Sequence, residues 1–233
     1  MSALLEARGI RKVYVSGDGQ PLEVLRGVDV EVHRGEFVAI VGASGVGKST
    51  LLHLLGALDG PTGGDVWLDG SRYADLDELG QAELRNRKLG FVFQFHHLLR
   101  EFTAFENVMM PLLIGGMAPR QARSRAEEML SQVGLAGRMS HRPAELSGGE
   151  QQRCAVARAL VHDPSLVLAD EPSGNLDHAN SDRLHEVFFR LAREYETAVV
   201  VVTHNRQLAG RADRILLLDD GRLAVVSSVD AIP

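Results

Sequence analysis

Three short runs of this chain, FVAIV at 37–41, LVLA at 166–169 and AVVVV at 198–202, are apolar at every position. A strand with one wet face alternates apolar and polar residues, so unbroken runs of this length predict parallel strands buried on both faces and joined by helices. The stretch before them reads differently. Residues 1–41 set the β-branched runs IRKVYV, VLRGVDVEV and FVAIV between the turn signals SGDGQP and HRGE, which predicts a strand-rich start. TLLHLLGAL has a helical pattern, and GGDVWLDG predicts a short strand between glycines. From about 72 to 162 the pattern turns helical and charged, with AELRNRKL, PRQARSRAEEMLSQVG and GGEQQRCAVARALV as helices. Pro119 near the start and Gly134 at the end punctuate the second of these. SLVLAD, a helix through SDRLHEVFFRLAREY, AVVVVT, a short helix and ILLLDDGRLAVV complete an α/β alternation without internal repeats.

Composition narrows the classes. With 233 residues the chain is one large domain or two small lobes, and 45% apolar with 24% charged residues is enough for a sizeable core. The net charge of −6 comes without a dense Lys/Arg run, so the electrostatic footprint of a nucleic-acid binder is missing and no nucleic-acid partner is expected. A single cysteine, Cys154, excludes an internal disulfide and a cysteine-based zinc site. The start, MSALLEARGIRKVY, carries no signal-peptide pattern, and AVVVV is far below the roughly 18 residues that span a bilayer. The expectation is a soluble cytoplasmic protein whose membrane role, if it has one, runs through a partner.

Directly after FVAIV comes GASGVGKST, which fits G-x-x-x-x-G-K-[ST] over Gly42, Ala43, Ser44, Gly45, Val46, Gly47, Lys48 and Ser49 and opens a helix with Thr50. Glycines let backbone N–H groups point inward around phosphates, and the helix N-terminus adds partial positive charge. Lys48 can reach the terminal phosphates and the Ser49 hydroxyl can ligate magnesium. A second buried run, LVLAD, ends in Asp170 and Glu171; a carboxylate there can hold magnesium through water, and the next can orient an attacking water. An Asp-Glu pair alone also suits a helix cap, and its weight comes from the phosphate loop. LSGGEQQR at 146–153 places Ser147 and two glycines at the start of a helix with the apolar stripe Ala155, Val156, Ala159 and Leu160. That terminus is an anion site without a lysine of its own; the plain alternative is a Ser N-cap. FQFHHLLREF at 93–102 offers adjacent histidines, but neighbours on a helix or strand point apart, so His96 and His97 make a poor metal pair.

Taken together, these motifs resemble those of the ATP-binding cassette ATPases, with Walker A at Gly42–Ser49, the signature at Leu146–Gln151 and Walker B ending at Asp170. The resemblance spans essentially the whole chain. It implies a single ABC nucleotide-binding domain of the P-loop NTPase fold: a RecA-like core, approximately 1–90 and 163–233, an N-terminal antiparallel β subdomain, and an inserted α-helical signature subdomain, approximately 91–162. It implies ATP and Mg2+ as cofactors, Tyr14 as the aromatic that stacks on adenine, and Gln94 as the Q-loop residue. SGNLD ending at Asp177 would be the D-loop and His204 the switch histidine. Ser49, Gln94 and Asp170 would serve magnesium, and Glu171 with His204 would be catalytic. Two copies would pair head to tail, Ser147 and Gly149 of one capping the γ-phosphate held by Lys48 of the other.

Outside these motifs, LRNRKLGFVFQFHHLLREFTAFENVMMPLLIGG, STLLHLLGALDGPTGGDVWLDG and HRPAELSGGEQQR are similar to the ATPase subunits of bacterial lipoprotein-releasing systems. That family implies a peripheral protein on the cytoplasmic face of the inner membrane. It would work on two membrane subunits of the LolC and LolE type and act on lipoprotein cargo indirectly. The segment Phe95 to Phe105 would grip the membrane partner, with subdomain core as the alternative for its aromatics. Arg100 stands where the family often has proline, and Ser173 where it commonly has threonine. Sister cassettes of macrolide-export or cell-division systems are the alternative assignment. A soluble ABC protein without a membrane partner fits less well, because the chain holds one cassette and no sustained heptads. A binding module without hydrolysis would lack Glu171.

Overall fold

A computed structural model describes residues 3–17 and 19–228. Among them the elements run β1 (Leu5–Val15), β2 (Pro21–Val32), β3 (Phe37–Val41), α1 (Lys48–Leu55), β4 (Gly63–Leu68), β5 (Ser71–Arg72), α2 (Glu78–Lys88), β6 (Leu89–Phe93), α3 (Ala104–Ile114), α4 (Pro119–Gln132), α5 (Gly148–Leu160), β7 (Leu166–Asp170), α6 (His178–Glu194), β8 (Ala198–Val202), α7 (Arg206–Ala209), β9 (Arg214–Asp219) and β10 (Arg222–Val226). They form two compact units: the described residues through Ala82 with those from Ala198 onward, and Glu83–Thr197. The family pattern divides the chain instead near 91 and 162. The compact units keep β6 and β7 with the helices, because α5 packs directly on β6.

In the first unit, β2, β1, β4 and β5 form an antiparallel sheet in that order. Strand β3 runs parallel to both β8 and β9, pairing Ile40 with Val202 and Val41 with Leu217. Every residue of β3 and β8 is buried, as their unbroken apolar patterns require. Helix α1 packs against β8 and buries Leu51, Leu52, Leu54 and Leu55, each contributing about 1.5–3 kcal/mol relative to exposure. The run ILLLDDGRLAVV is a hairpin: β9 and β10 pair antiparallel around Asp220 and Gly221, whose φ values of 43° and 72° match the turn that twists with its strands.

The second unit holds β6 and β7 in parallel register, from Leu89 opposite Leu166 to Phe93 opposite Asp170, with α3, α4 and α5 packed on one another. Two elements here escape the sequence pattern. Strand β6 follows α2 without an intervening turn signal. Helix α3 is apolar on most sides and carries Pro111, a residue that sequence rules place at helix boundaries. Its ends and middle explain why it forms. Thr103 and Glu106 make a reciprocal capping box, the Thr103 Oγ1 accepting from Glu106 N at 3.2 Å and the Glu106 carboxylate accepting from Thr103 N at 2.8 Å. The Pro111 carbonyl accepts from Asn86 Nδ2 at 3.1 Å and lies 2.8 Å from His162 Nε2.

Asn107, buried in the first turn of α3, ties down the loop before it. Its Oδ1 accepts from Leu99 N at 2.8 Å, and its Nδ2 donates to the carbonyls of Leu99, Phe102 and Thr103 at 3.1, 3.1 and 2.9 Å. Nearby, Arg125 of α4 stacks over the Tyr195 ring at 5.1 Å, pairs with Asp163 and donates to the Val161 carbonyl, joining α4 to the segments after α5 and α6. Replacing Asn107 with alanine removes the partner of the Leu99 amide and one of the two donors to the Leu99 carbonyl, and we expect a loss of about 1–2 kcal/mol in urea unfolding. An unchanged unfolding midpoint would show that the loop does not depend on Asn107.

Candidate functional site

The first unit carries the phosphate loop. Strand β3 delivers the chain into Gly42–Gly47, and α1 begins at Lys48. Gly42 has φ 153°, and a Cβ there would sit 2.3 Å from the Leu218 carbonyl oxygen, so the loop can leave the sheet this closely only as glycine. Gly47 has φ 107°, and its Cβ would sit 2.6 Å from Val24 Cγ1. Between them Ala43, Ser44 and Gly45 are exposed and Val46 is half-buried. Gly47 caps α1 without any side chain, which leaves the first-turn amides to an anion. Lys48 Nζ donates to the carbonyls of Gly42 at 2.8 Å and Ala43 at 2.9 Å, holding the ammonium against the loop. Ser49 is exposed and Thr50 half-buried in the first turn.

Two further residues belong to this unit. Tyr14 stands on β1 with 37% of its surface exposed. His204, also exposed, follows β8, and Thr203 N donates to the Ile40 carbonyl at 3.2 Å. Because β3 and β8 are parallel, that bond places His204 at the sheet end from which the phosphate loop springs.

The second unit carries the carboxylates and the signature. The register of β6 with β7 sets Phe93 opposite Asp170, so Gln94 and Glu171 leave the pair at the same end. Gln94 Nε2 donates to Asn175 Oδ1 at 3.2 Å, and Asn175 Nδ2 returns a bond to the Gln94 carbonyl at 3.1 Å. Glu171 adopts φ 44°, an uncommon conformation for a residue with a side chain; such strain collects where a side chain must be aimed. Asp177 caps α6, accepting from Asn180 N at 2.9 Å and Asn180 Nδ2 at 2.7 Å, and these bonds hold its carboxyl below the usual range. Ser147 caps α5, its Oγ accepting from Glu150 N at 3.3 Å while Ser147 N donates to Glu150 Oε2 at 2.8 Å. The plain reading of Ser147 as an N-cap therefore holds, and it leaves the hydroxyl proton available to a phosphate. It does not account for Gly149, whose Cβ would stand 3.0 Å from Asn180 Oδ1.

Several partners of these residues were not visible as motifs. The buried His185 Nε2 lies 2.9 Å from Ser173 Oγ and braces the start of the D-loop. Arg158 on α5 donates to the carbonyls of His97 at 2.7 Å and His96 at 2.9 Å, so the adjacent histidines contribute backbone to a loop clamp. The His97 ring meets Phe93 edge-on at 5.3 Å. Asn175 and Asn180 could have been suspected as polar residues of a loop and helix start; Arg158 and His185 sit inside helices and offer no local signal.

Chemically, the phosphate loop supplies donors for phosphate, and the oxygen donors on Ser49, Gln94 and Asp170 have the hardness magnesium prefers. Phe95 is 66% exposed, which removes it from the subdomain core. Among the described residues no helix is long and apolar enough to cross a membrane.

Comparison with known proteins matches these features. The ABC transporter family profile covers residues 25–174. The chain is 54% identical to the lipoprotein-releasing system ATP-binding protein LolD of Porphyromonas gingivalis, over 94% of this chain and 98% of that protein. It is 53% identical to LolD of Geobacter metallireducens, over 96% and 99%. Among solved structures, the ATP-binding cassette MJ0796, dimeric in a post-hydrolysis state with ADP and Pi, superposes with a TM-score of 0.88 at 38% identity, covering 97% of this chain and 98% of that one. A second dimeric structure of that cassette gives 0.87 at 39% identity, covering 94% and 96%.

The signature helix has an acid-sensitive start. The Ser147 backbone bond and the Arg138 guanidinium, 2.9 Å away, hold the Glu150 carboxyl down at about 2, against 4.5 ordinarily. A depressed carboxyl stabilises the fold above its unfolded value and loses that contribution as pH falls from about 4.5 toward 2. Glu150→Gln is therefore expected to melt below the parent at pH 7 and to close the gap as pH falls from about 4.5 toward 2. A gap that stayed constant over that range would show that the charge is not what holds the cap.

Proposed function

Because the chain belongs to the ABC transporter family of ATP-hydrolysing cassettes, we propose that it is the ATPase of a lipoprotein-releasing complex in the bacterial inner membrane. The observation that carries this reading is the identity above 50% to LolD proteins over nearly their full length. In this role the chain sits on the cytoplasmic face and works on two membrane subunits of the LolC and LolE type. Lipoprotein cargo is reached only through them. Macrolide-export and cell-division cassettes remain the comparison group; the test is purification from detergent with this chain as bait. Recovery of paired membrane subunits together with lipoprotein supports the proposal, and recovery of a macrolide-export partner would replace it.

The residue roles follow from the chemistry. The amides of Gly42–Lys48 and the Lys48 ammonium bind and orient the phosphates, and Tyr14 stacks on the base. Ser49, Gln94 and Asp170 would hold magnesium, which neutralises developing phosphate charge when bound. Glu171 orients the attacking water and accepts its proton, and His204 hydrogen-bonds the γ-phosphate region. Ser147 and Gly149 of a second copy donate to the same phosphate from an α5 N-terminus; Asp177 lies on the D-loop that meets that copy. The dimeric cassettes among the solved relatives support such a pairing.

Two outcomes test these roles. Glu171→Gln should keep ATP affinity and lower phosphate release in the assembled complex by at least about 100-fold; hydrolysis at the parental rate would remove Glu171 from its role. Phe95→Glu places a charge on the exposed apolar docking segment. It should leave the melting temperature unchanged and abolish co-purification with the membrane subunits, whereas normal assembly would move the docking surface elsewhere.

A further inference from the structure

On β1, Lys12 and Tyr14 are two residues apart and so share one face of the strand. Lys12 is only 8% exposed, and a buried ammonium needs all its donors engaged. Its Nζ donates to Asp59 Oδ1 at 2.7 Å and to the Gly60 carbonyl at 2.7 Å, and it lies 4.9 Å from the centre of the Tyr14 ring. Asp59 completes the arrangement. Its Oδ2 accepts from the Tyr14 hydroxyl at 3.0 Å, while Oδ1 also accepts from Gly60 N at 2.7 Å. The ring is thus held at its hydroxyl edge by a carboxylate and on one side by a cation. Asp59 in turn follows α1, the helix that begins at the phosphate loop. At a rise of 1.5 Å per residue its eight residues span roughly 12 Å, and Asp59 stands four residues past its end at Leu55, so the helix and one short turn join the phosphate donors to the group that orients the ring.

Resting on the reading of Tyr14 as the adenine-stacking aromatic, we infer that Lys12 and Asp59 are positioning residues for base recognition: they lock the ring so that its remaining face is presented to the purine. The physical gain has two parts. A side chain fixed before binding loses no rotamer freedom on binding. A cation against one face draws π density toward itself and leaves the opposite face better matched to an electron-rich purine. Two neighbouring bonds hold the strand itself: Val13 N donates to Thr62 Oγ1 at 3.2 Å, and Thr62 N donates to the Arg11 carbonyl at 2.9 Å. Asp59 and Lys12 are therefore not alone in anchoring β1, and their loss should unlock the ring without detaching the strand.

The test compares ATP with inorganic tripolyphosphate, which has no base to stack, by calorimetry on the full chain. Tyr14→Ala establishes what stacking contributes. Tyr14→Phe keeps the ring but removes the hydroxyl, and Asp59→Ala removes the carboxylate that holds both the hydroxyl and the Lys12 ammonium. Each of the latter two should weaken ATP binding about 3- to 10-fold, leave tripolyphosphate binding unchanged, and add little to the other when combined. Tyr14→Phe, at an exposed position, serves as the folded control for Asp59→Ala. If Tyr14→Ala leaves ATP affinity intact, the stacking reading falls and this inference with it. If Tyr14→Ala weakens ATP while Tyr14→Phe and Asp59→Ala bind as the parent does, stacking stands and the positioning role is overturned. Equal losses for ATP and tripolyphosphate in Asp59→Ala would likewise overturn it, assigning Asp59 to the fold alone.

Discussion

A strand buried on both faces cannot carry a charged side chain along its length, and the placement of this chain's chemistry follows from that constraint. Strands β3 and β8 are buried at all five positions, and β7 at its first four. Polar groups can appear only where such strands end. The phosphate loop follows Val41, His204 stands two residues past the end of β8, and Asp170 with Glu171 closes β7. Parallel pairing then aligns those ends: Ile40 sits beside Val202, and Phe93 beside Asp170. The register of apolar residues thereby sets the position of the polar groups at the strand ends.

The polar groups divide between the two compact units. The first supplies phosphate donors, a histidine and an aromatic ring, but its phosphate loop contains no carboxylate. The second supplies Asp170, Glu171, Gln94 and a helix terminus, but no phosphate loop. In the second unit the polar loops are held by helix starts: Thr103, Ser147 and Asp177 each accept a backbone N–H three residues on. Such caps keep the loop and the helix start in a fixed relation. At Ser147 the oxygen caps the helix, and on the proposed reading the hydroxyl proton is left for the phosphate of a second copy. That is how an ordinary cap can also serve as half of a phosphate site.

How much of this was legible depended on sequence distance. The phosphate loop, the signature and the carboxylate pair are local strings whose function needs particular residues within a few positions, so they could be read directly. The buried strands were equally plain. Strand β6 was hidden because LGFVF runs straight on from a charged helix, and α3 because Pro111 and an apolar surround erase the usual helical signature. Neither Arg158, reaching back about sixty residues to the carbonyls of His96 and His97, nor His185, reaching Ser173 from within α6, has any local mark. FQFHHLLREF shows the difference most clearly. Its adjacent histidines make a poor metal pair by sequence alone, and the structure makes it a loop held by Asn107 and Arg158 that leaves Phe95 outside.

The same distance rule explains why a single family motif can conceal part of its own site. An aromatic residue on a strand is recognised as a base-stacking group from its order relative to the phosphate loop, yet order says nothing about what fixes the ring. Here the fixing groups come from Lys12, two residues away, and Asp59, forty-five residues away across the phosphate-loop helix. A tyrosine left to rotate would spend binding energy on being ordered, whereas a bracketed one spends that energy on the base. The helix that presents amides to phosphate at one end carries the carboxylate that holds the ring beyond the other. On the proposed reading of Tyr14, the helix and the short turn after it therefore join the two ends of the nucleotide site without either being visible in the other's motif.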